Sequence, residues 1–130
     1  MTSPLHQLKI IELGHVIAGP LSTSLLSDFG ADVIKIEAPN RTDMMRDLGP
    51  KAGDGVGVWW KTLGRNKKIL SLDWESGEGR DILRRLVESA DVLVENFLPG
   101  VLERAGVGTE TLHKWNPDLV ILRVSGYGQD

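Results

Sequence analysis

Short segments rich in Ile, Val and Leu recur along the chain, each separated from the next by a stretch long enough for a helix, and this alternation restricts the fold to the α/β class. Leu8 to Leu13 reads as a first strand and Asp32 to Glu37 as a second. The helix-length crossover between them favours parallel pairing. Lys68 to Asp73, Asp91 to Asn96 and Leu119 to Ser125 supply three more strands. The unbroken apolar centre of Val92-Leu93-Val94 suits a strand covered on both faces. The architecture expected is a Rossmann-like open, mainly parallel sheet with helices on both faces.

The crossovers carry helix signals. Pro20 opens a helix in which Leu21, Leu25, Leu26 and Phe29 recur at helical spacing until Gly30. Ser76 to Gly79 marks the entry of a second, bearing Ile82, Leu83, Leu86 and Val87. Shorter helices are expected at Val101 to Ala105 and about Glu110 to Trp115. Between Ala38 and Gly64, Pro39, Pro50 and several glycines suggest a long irregular connection, with Trp59 and Trp60 as core candidates. The chain closes on Gly126-Tyr127-Gly128-Gln129-Asp130, a glycine turn of the kind that feeds another helix, so the sheet is expected to be incomplete at its carboxyl end.

Ligands of open α/β sheets sit beyond the carboxyl ends of the strands, which selects the residues after Leu13, Glu37, Leu72, Glu95 and Ser125. Gly14 to Gly19 lacks the Gly-x-Gly-x-x-Gly spacing and reads as a tight strand-to-helix turn or a weak phosphate cradle. His15 in that turn is either a proton carrier or a hydrogen-bonded loop residue. Arg65, Lys67 and Lys68, with Arg41, Arg46 and Arg104, are candidates for an anion site at one sheet edge. Asp32, Asp73 and Asp91 read as caps or turn residues.

Several classes of function fall away on composition. A net charge of -3, from 15 basic and 18 acidic residues, argues against nucleic-acid binding. No cysteine is present, and His6, His15 and His113 have no paired spacing that suggests a metal site. No apolar run approaches about 18 residues and no leader pattern opens the chain, so a cytoplasmic protein without a membrane segment is expected.

His15-Val16-x-Ala18-Gly19-Pro20 followed by Gly30-Ala31-Asp32-Val33-Ile34-Lys35-Ile36-Glu37 closely resembles the opening of class III coenzyme A transferases, the family of formyl-CoA transferase, carnitine-CoA transferase and α-methylacyl-CoA racemase. The resemblance continues through Asn66-Lys67-Lys68, Leu72-Asp73, Ala90 to Phe97, Pro99-Gly100, Arg104, Asn116-Pro117 and Ser125 to Gly128. It implies that residues 1–130 form the amino-terminal, CoA-binding part of a larger transferase domain. By position it implicates His15, Val16, Ile17, Ala18, Leu72, Asp73, Trp74, Glu75, Asn96, Phe97, Leu98 and Arg104 in binding CoA. It further implies acyl-CoA and a carboxylic acid as substrates, no tightly bound cofactor, an interlocked homodimer of the full-length protein, and a catalytic aspartate beyond Asp130.

Two departures bear on specificity. Ala38 stands where formyl-CoA transferases resemble one another in having an arginine near adenine. Ile17 and Leu48 replace a Gln and a Trp of the oxalate enzymes, which points to another acyl-CoA substrate. A racemase of the same family, or a nucleotide-binding module without catalysis, are the alternative readings at this stage.

Overall fold

The structure, a computed structural model, describes residues 3–129. Met1, Thr2 and Asp130, the last residue of the expected glycine turn, lie outside the described residues. Five parallel strands form one sheet: β1 (Lys9–Glu12), β2 (Asp32–Glu37), β3 (Lys67–Ser71), β4 (Val92–Glu95) and β5 (Val120–Arg123), in the order β3-β2-β1-β4-β5. All five expected strands are present, with ends displaced by a residue or two. The chain runs outwards from β1 to β3, then returns to the other side of β1 with β4. The topological switch point therefore lies between the carboxyl ends of β1 and β4, where such sheets open a crevice.

Helices cover both faces, as expected. Strand side chains alternate, so Ile11 and Leu93 point one way while their neighbours Ile10 and Val94 point the other. The first face is covered by α3 (Gly77–Val87), α4 (Val101–Arg104) and α5 (Thr109–Trp115), whose Leu83, Val87, Leu102 and Leu112 complete a wholly apolar cluster around Trp74. Ser76 caps α3 by accepting a hydrogen bond from the Gly79 N–H at 3.1 Å.

The second face lies under α1 (Ala18–Asp28), and here the packing departs from the sequence pattern. Leu21, Leu25 and Phe29 are exposed, while Gly19, Pro20, Thr23, Ser24 and Ser27 are buried. Among the four apolar residues read as a helical stripe, Leu26 alone packs on the Ile10, Ala31, Val33 and Val94 cluster. The reason lies in what packs against it: at its carboxyl end this face presents Glu12 and Lys35, which Thr23 meets with a hydroxyl bonded to Glu12, while the Ser24 and Ser27 hydroxyls bond the Leu63 and Arg65 carbonyls beside the helix.

The connection from Ala38 to Gly64 is less irregular than its composition suggests. It holds a 3-10 turn at Met44–Arg46 and a two-turn helix, α2 (Val58–Gly64). Gly57 begins α2 without a side-chain cap, which removes the usual sequence marker of a helix start. Trp59 is exposed, and Trp60 is half-buried beneath the Arg46 guanidinium, 3.7 Å from the ring centroid.

Candidate functional site

At the switch point, the turn after β1 is held from several sides by side chains distant in sequence. Asn96, just past β4, accepts a hydrogen bond from the His15 N–H at 2.8 Å and donates its amide to the His15 carbonyl at 2.9 Å. Gly14 and Gly19 make this possible: a Cβ on either would lie 2.7 or 2.9 Å from the Asn96 side-chain oxygen. The two glycines thus admit Asn96 into the turn, a role neither alternative of the sequence reading contained.

Val16 follows with φ of 64°, a left-handed conformation that a β-branched residue adopts at a strain of about 1–3 kcal/mol. Its N–H is directed at both carboxylate oxygens of Asp43, at 3.2 Å each. Asp43 is 2% exposed and its neighbours Thr42 and Met44 are exposed, so its side chain turns inward beneath the surface they form. It also caps the 3-10 turn through the Met45 N–H at 3.0 Å.

Beneath the turn lies a group of buried charges. Lys35 donates hydrogen bonds to Glu12 at 2.8 Å and to the Gly14 carbonyl at 2.7 Å, and its ammonium forms an ion pair with Asp43 at 3.1 Å. Glu12, fully buried, also receives Lys67 at 2.8 Å and the Thr23 hydroxyl at 2.5 Å. Two carboxylates thus balance two ammonium groups. Burial pulls the Lys67 ammonium below its ordinary pKa, against the opposing pull of Glu12. Burial likewise lowers the His15 imidazole, with the nearby Lys35 charge acting in the same direction, so the ring is predominantly neutral at pH 7.

Next along the same edge, burial pushes the Glu37 carboxyl upward, but hydrogen bonds from Arg46, the Asp43 N–H and the Trp60 indole outweigh it and hold the group below its ordinary pKa. On the other side of the switch point, fully buried Glu95 accepts the Phe97 N–H at 2.7 Å and Arg123 at 2.7 Å. Glu12, Glu37 and Glu95 are therefore all engaged in fixing the ends of strands.

Above these supports, three adjoining hollows follow the carboxyl edge of the sheet. One, about 460 Å³, runs from Val124 to Gly128 across Asn96 and Phe97. A second, about 380 Å³, shares Phe97 and Leu98 with it and is bounded by His15, Val16, Met44 and Val101. The third, about 450 Å³, shares Arg41 with the second and is polar, with Asn40, Asp73, Glu75 and Ser76. Phe97 stands at the centre, its ring 5.3 Å from His15 and 5.9 Å from Trp74 between centroids. A ligand laid along this edge meets apolar surface in the middle and polar groups at the β2–β3 end.

The residues singled out from sequence separate into three groups. His15, Val16, Ala18, Asp73, Glu75, Asn96, Phe97 and Leu98 line the hollows, and Ile17 is exposed beside them. Leu72 and Trp74 are buried in the apolar cluster, where the Trp74 ring is 2% exposed and supports Phe97 from below. Arg104 is exposed on α4 and lines none of the three. Five of the six basic residues named for a shared anion site are instead dispersed into ion pairs: Arg65 with Asp28, Lys68 with Asp32, Arg46 with Glu37, Arg41 with Glu75, and Lys67 with Glu12. Arg41 alone of them lines a hollow. Asp43, Glu12 and Lys35 were not singled out, although one signal was available. Glu12 and Lys35 occupy inward positions of adjacent strands and are direct register partners, and charges inside a sheet covered on both faces must be paired.

The sequence model of CoA-transferase family III matches residues 5–130. The chain belongs to this family. It is 47% identical over 126 residues to a succinyl-CoA–D-citramalate CoA-transferase of Chloroflexus aurantiacus, a match covering 97% of this chain and 31% of that protein. It is 38% identical over 128 residues to a formyl-CoA:oxalate CoA-transferase of Afipia carboxidovorans, covering 98% and 30% respectively. Among solved structures, a CaiB/BaiF family protein from Brucella suis superposes with a TM-score of 0.91 at 37% identity, covering 100% of this chain and 35% of the other. The chain thus spans about a third of the length of the relatives it matches.

Proposed function

We propose that the full-length protein is a class III CoA transferase, moving CoA from an acyl-CoA to a carboxylic acid, and that residues 1–130 are its CoA-binding portion. The observation that carries this reading is the band of hollows at the switch point, polar at one end and apolar in the middle, in a chain whose named relatives are CoA transferases. CoA has the same polarity profile, a charged nucleotide joined to a long neutral arm. Arg41, exposed at the polar hollow, meets a nucleotide phosphate by exchanging its Glu75 partner for it. Val16, Phe97 and Leu98 give the arm apolar surface, and the neutral His15 ring lies beside it without adding charge. Leu72 and Trp74 act from beneath by fixing Phe97. Arg104 serves a phosphate only where the ligand reaches beyond the band onto α4.

Transfer proceeds through an aspartate outside this chain. Its carboxylate attacks the thioester carbonyl, the C–S bond breaks and CoA leaves as the thiolate, giving a mixed anhydride. The thiolate attacks the aspartyl carbonyl and releases the donor carboxylate, and the acceptor carboxylate displaces the thiolate to form a second anhydride. The thiolate then attacks the acceptor carbonyl, which releases the new acyl-CoA and frees the aspartate. The buried carboxylates here are unsuited to that step, because Glu12, Glu37 and Glu95 are held by cations or backbone N–H groups. Residues 1–130 alone should give no turnover. The protein acts as a homodimer in the cytoplasm, without a resident cofactor; no helix among the described residues is long and apolar enough to cross a membrane.

The test is to incubate the full-length protein with succinyl-CoA and then hydroxylamine, and to look for an aspartyl hydroxamate by mass spectrometry. Acceptor-dependent CoA exchange together with that adduct supports the reading. Exchange of the substrate α-proton with deuterated water, with neither acceptor nor hydroxamate, would replace it with a racemase.

A further inference from the structure

We propose that Asp43 is a positioning residue for CoA binding, which holds the turn after β1 in its binding shape by keeping Val16 in a left-handed conformation. This rests on the reading of the band as the CoA site. Val16 lines the central hollow with φ of 64°, a conformation disfavoured for a β-branched residue unless its surroundings impose it. Asn96 fixes the residue before it, gripping the His15 N–H and carbonyl, and α1 starts immediately after Ile17. The Val16 N–H itself is met by the Asp43 carboxylate.

Asp43 is well placed for this task. Its backbone N–H reaches Glu37 at 3.3 Å, its side chain caps the 3-10 turn at Met45, and Lys35 lies 3.1 Å away. Lys35 simultaneously holds the Gly14 carbonyl, two residues before Val16. The turn is therefore bound at Gly14 by Lys35, at His15 by Asn96 and at Val16 by Asp43. The end of β2 and the end of β1 are set relative to each other through one buried carboxylate. Thr42 and Met44, on either side of it, form part of the same hollow, so the residue that shapes one wall also carries the other.

This arrangement makes a demand that a purely stabilising role does not. If Asp43 acts by enforcing the left-handed backbone at Val16, its contribution must depend on residue 16 resisting that backbone. Glycine adopts positive φ without the steric penalty. The experiment is a double-mutant cycle read by calorimetric titration of CoA into the full-length protein, with a thermal melt of each variant as the measure of folding.

Asp43→Ala is expected to weaken CoA binding about tenfold, and the same substitution in a Val16→Gly background by less than about threefold. Equal losses in the two backgrounds, or no loss in either, overturn the proposal. Asp43→Asn guards against a variant that fails to fold. It keeps an acceptor for the Val16 N–H while removing the charge beside Lys35. Its melting temperature should fall while CoA affinity stays within about threefold of the parent. A folded Asp43→Asn protein that loses tenfold in affinity assigns the effect to charge and also overturns the proposal. Failure of the unsubstituted protein to bind CoA is a different result: it removes the CoA-site reading itself.

Discussion

On the face of the sheet covered by α3, α4 and α5, Ile11, Leu13, Leu93, Leu83, Val87 and Leu112 form an apolar centre, and charge enters only at the carboxyl edge, where Glu95 meets Arg123. On the face under α1, Ile10 and Val33 give way after two residues to Glu12 and Lys35, and the helix above contributes Thr23, Ser24 and Ser27. One sheet is thus buried by two kinds of chemistry. The apolar face gains from area removed from water, an attraction without direction that tolerates repacking. The polar face gains little net free energy from its ion pairs, because desolvation offsets their attraction, but every bond in it has a direction. The directional face is the one that ends at Gly14, His15 and Val16. Under the turn after β1, positioning falls to the side beneath α1, and the larger apolar area lies on the other side.

The largest expected effect breaks the directional face. Glu12→Ala leaves Lys35 and Lys67 buried with one shared counter-charge fewer and should cost about 4 kcal/mol, measured by urea denaturation. A loss below about 1 kcal/mol would show that water enters and the group is not a dry network. Leu93→Ala, in the middle of the apolar face, should cost about 3 kcal/mol by removing methylene groups and leaving a cavity. The two substitutions should differ in kind as well: Leu93→Ala leaves CoA affinity within about threefold in the folded protein, whereas Glu12→Ala reduces it more strongly.

Replacing the charges together sharpens the contrast. Glu12→Leu, Lys35→Met and Lys67→Met in one protein should cost about 2 kcal/mol, less than Glu12→Ala alone: apolar groups of similar volume replace three of the charges, while Asp43 stays buried without its ammonium partner. CoA affinity should nevertheless fall, because Gly14 and Asp43 lose their common partner Lys35. Retained affinity would show that the network contributes no positioning.

A smaller effect is expected from acid. Glu37 has a folded pKa below its unfolded value, so its contribution to stability is present above about pH 4.3 and is lost as the pH falls through the folded value. Melting temperatures followed from pH 6 to pH 3 should therefore fall less steeply in Glu37→Gln than in the parent. Identical slopes would mean that Arg46 and Trp60 hold the carboxyl no more firmly than water does. The smallest expected effect is at Arg84, whose i,i+4 pair with Glu88 is exposed on α3: Arg84→Ala should change stability by less than about 0.5 kcal/mol.

Legibility in the sequence followed the range of the interactions. The strands at Ile10, Val33 and Leu93, and the Ser76 cap of α3, depend on near neighbours and on period-two alternation, and all were readable. The α2 helix escaped because Gly57 offers no side-chain cap and the helix has only seven residues. Trp74 follows the end of β3, and nothing local tells which way its side chain turns; it is buried in the apolar cluster. Asn96 was recognisable as a residue just past the end of a strand, whereas its two bonds to His15 span 81 positions and have no local trace.

The sequence by itself determined the α/β class, the strand succession, the crossover helices and the edge of the sheet at which a ligand can lie, because these follow from periodicity, turn chemistry and the handedness of parallel connections. Tertiary structure alone decided which charges became buried partners and which of the strand-end residues reach the surface. Lys35 and Glu12 are ordinary charged residues in the chain; they become a positioning device only when parallel pairing sets them side by side beneath α1. The left-handed turn at Val16 has the same origin. No local preference of valine favours it, and it exists because Asp43, 27 residues away, meets its N–H where water does not compete.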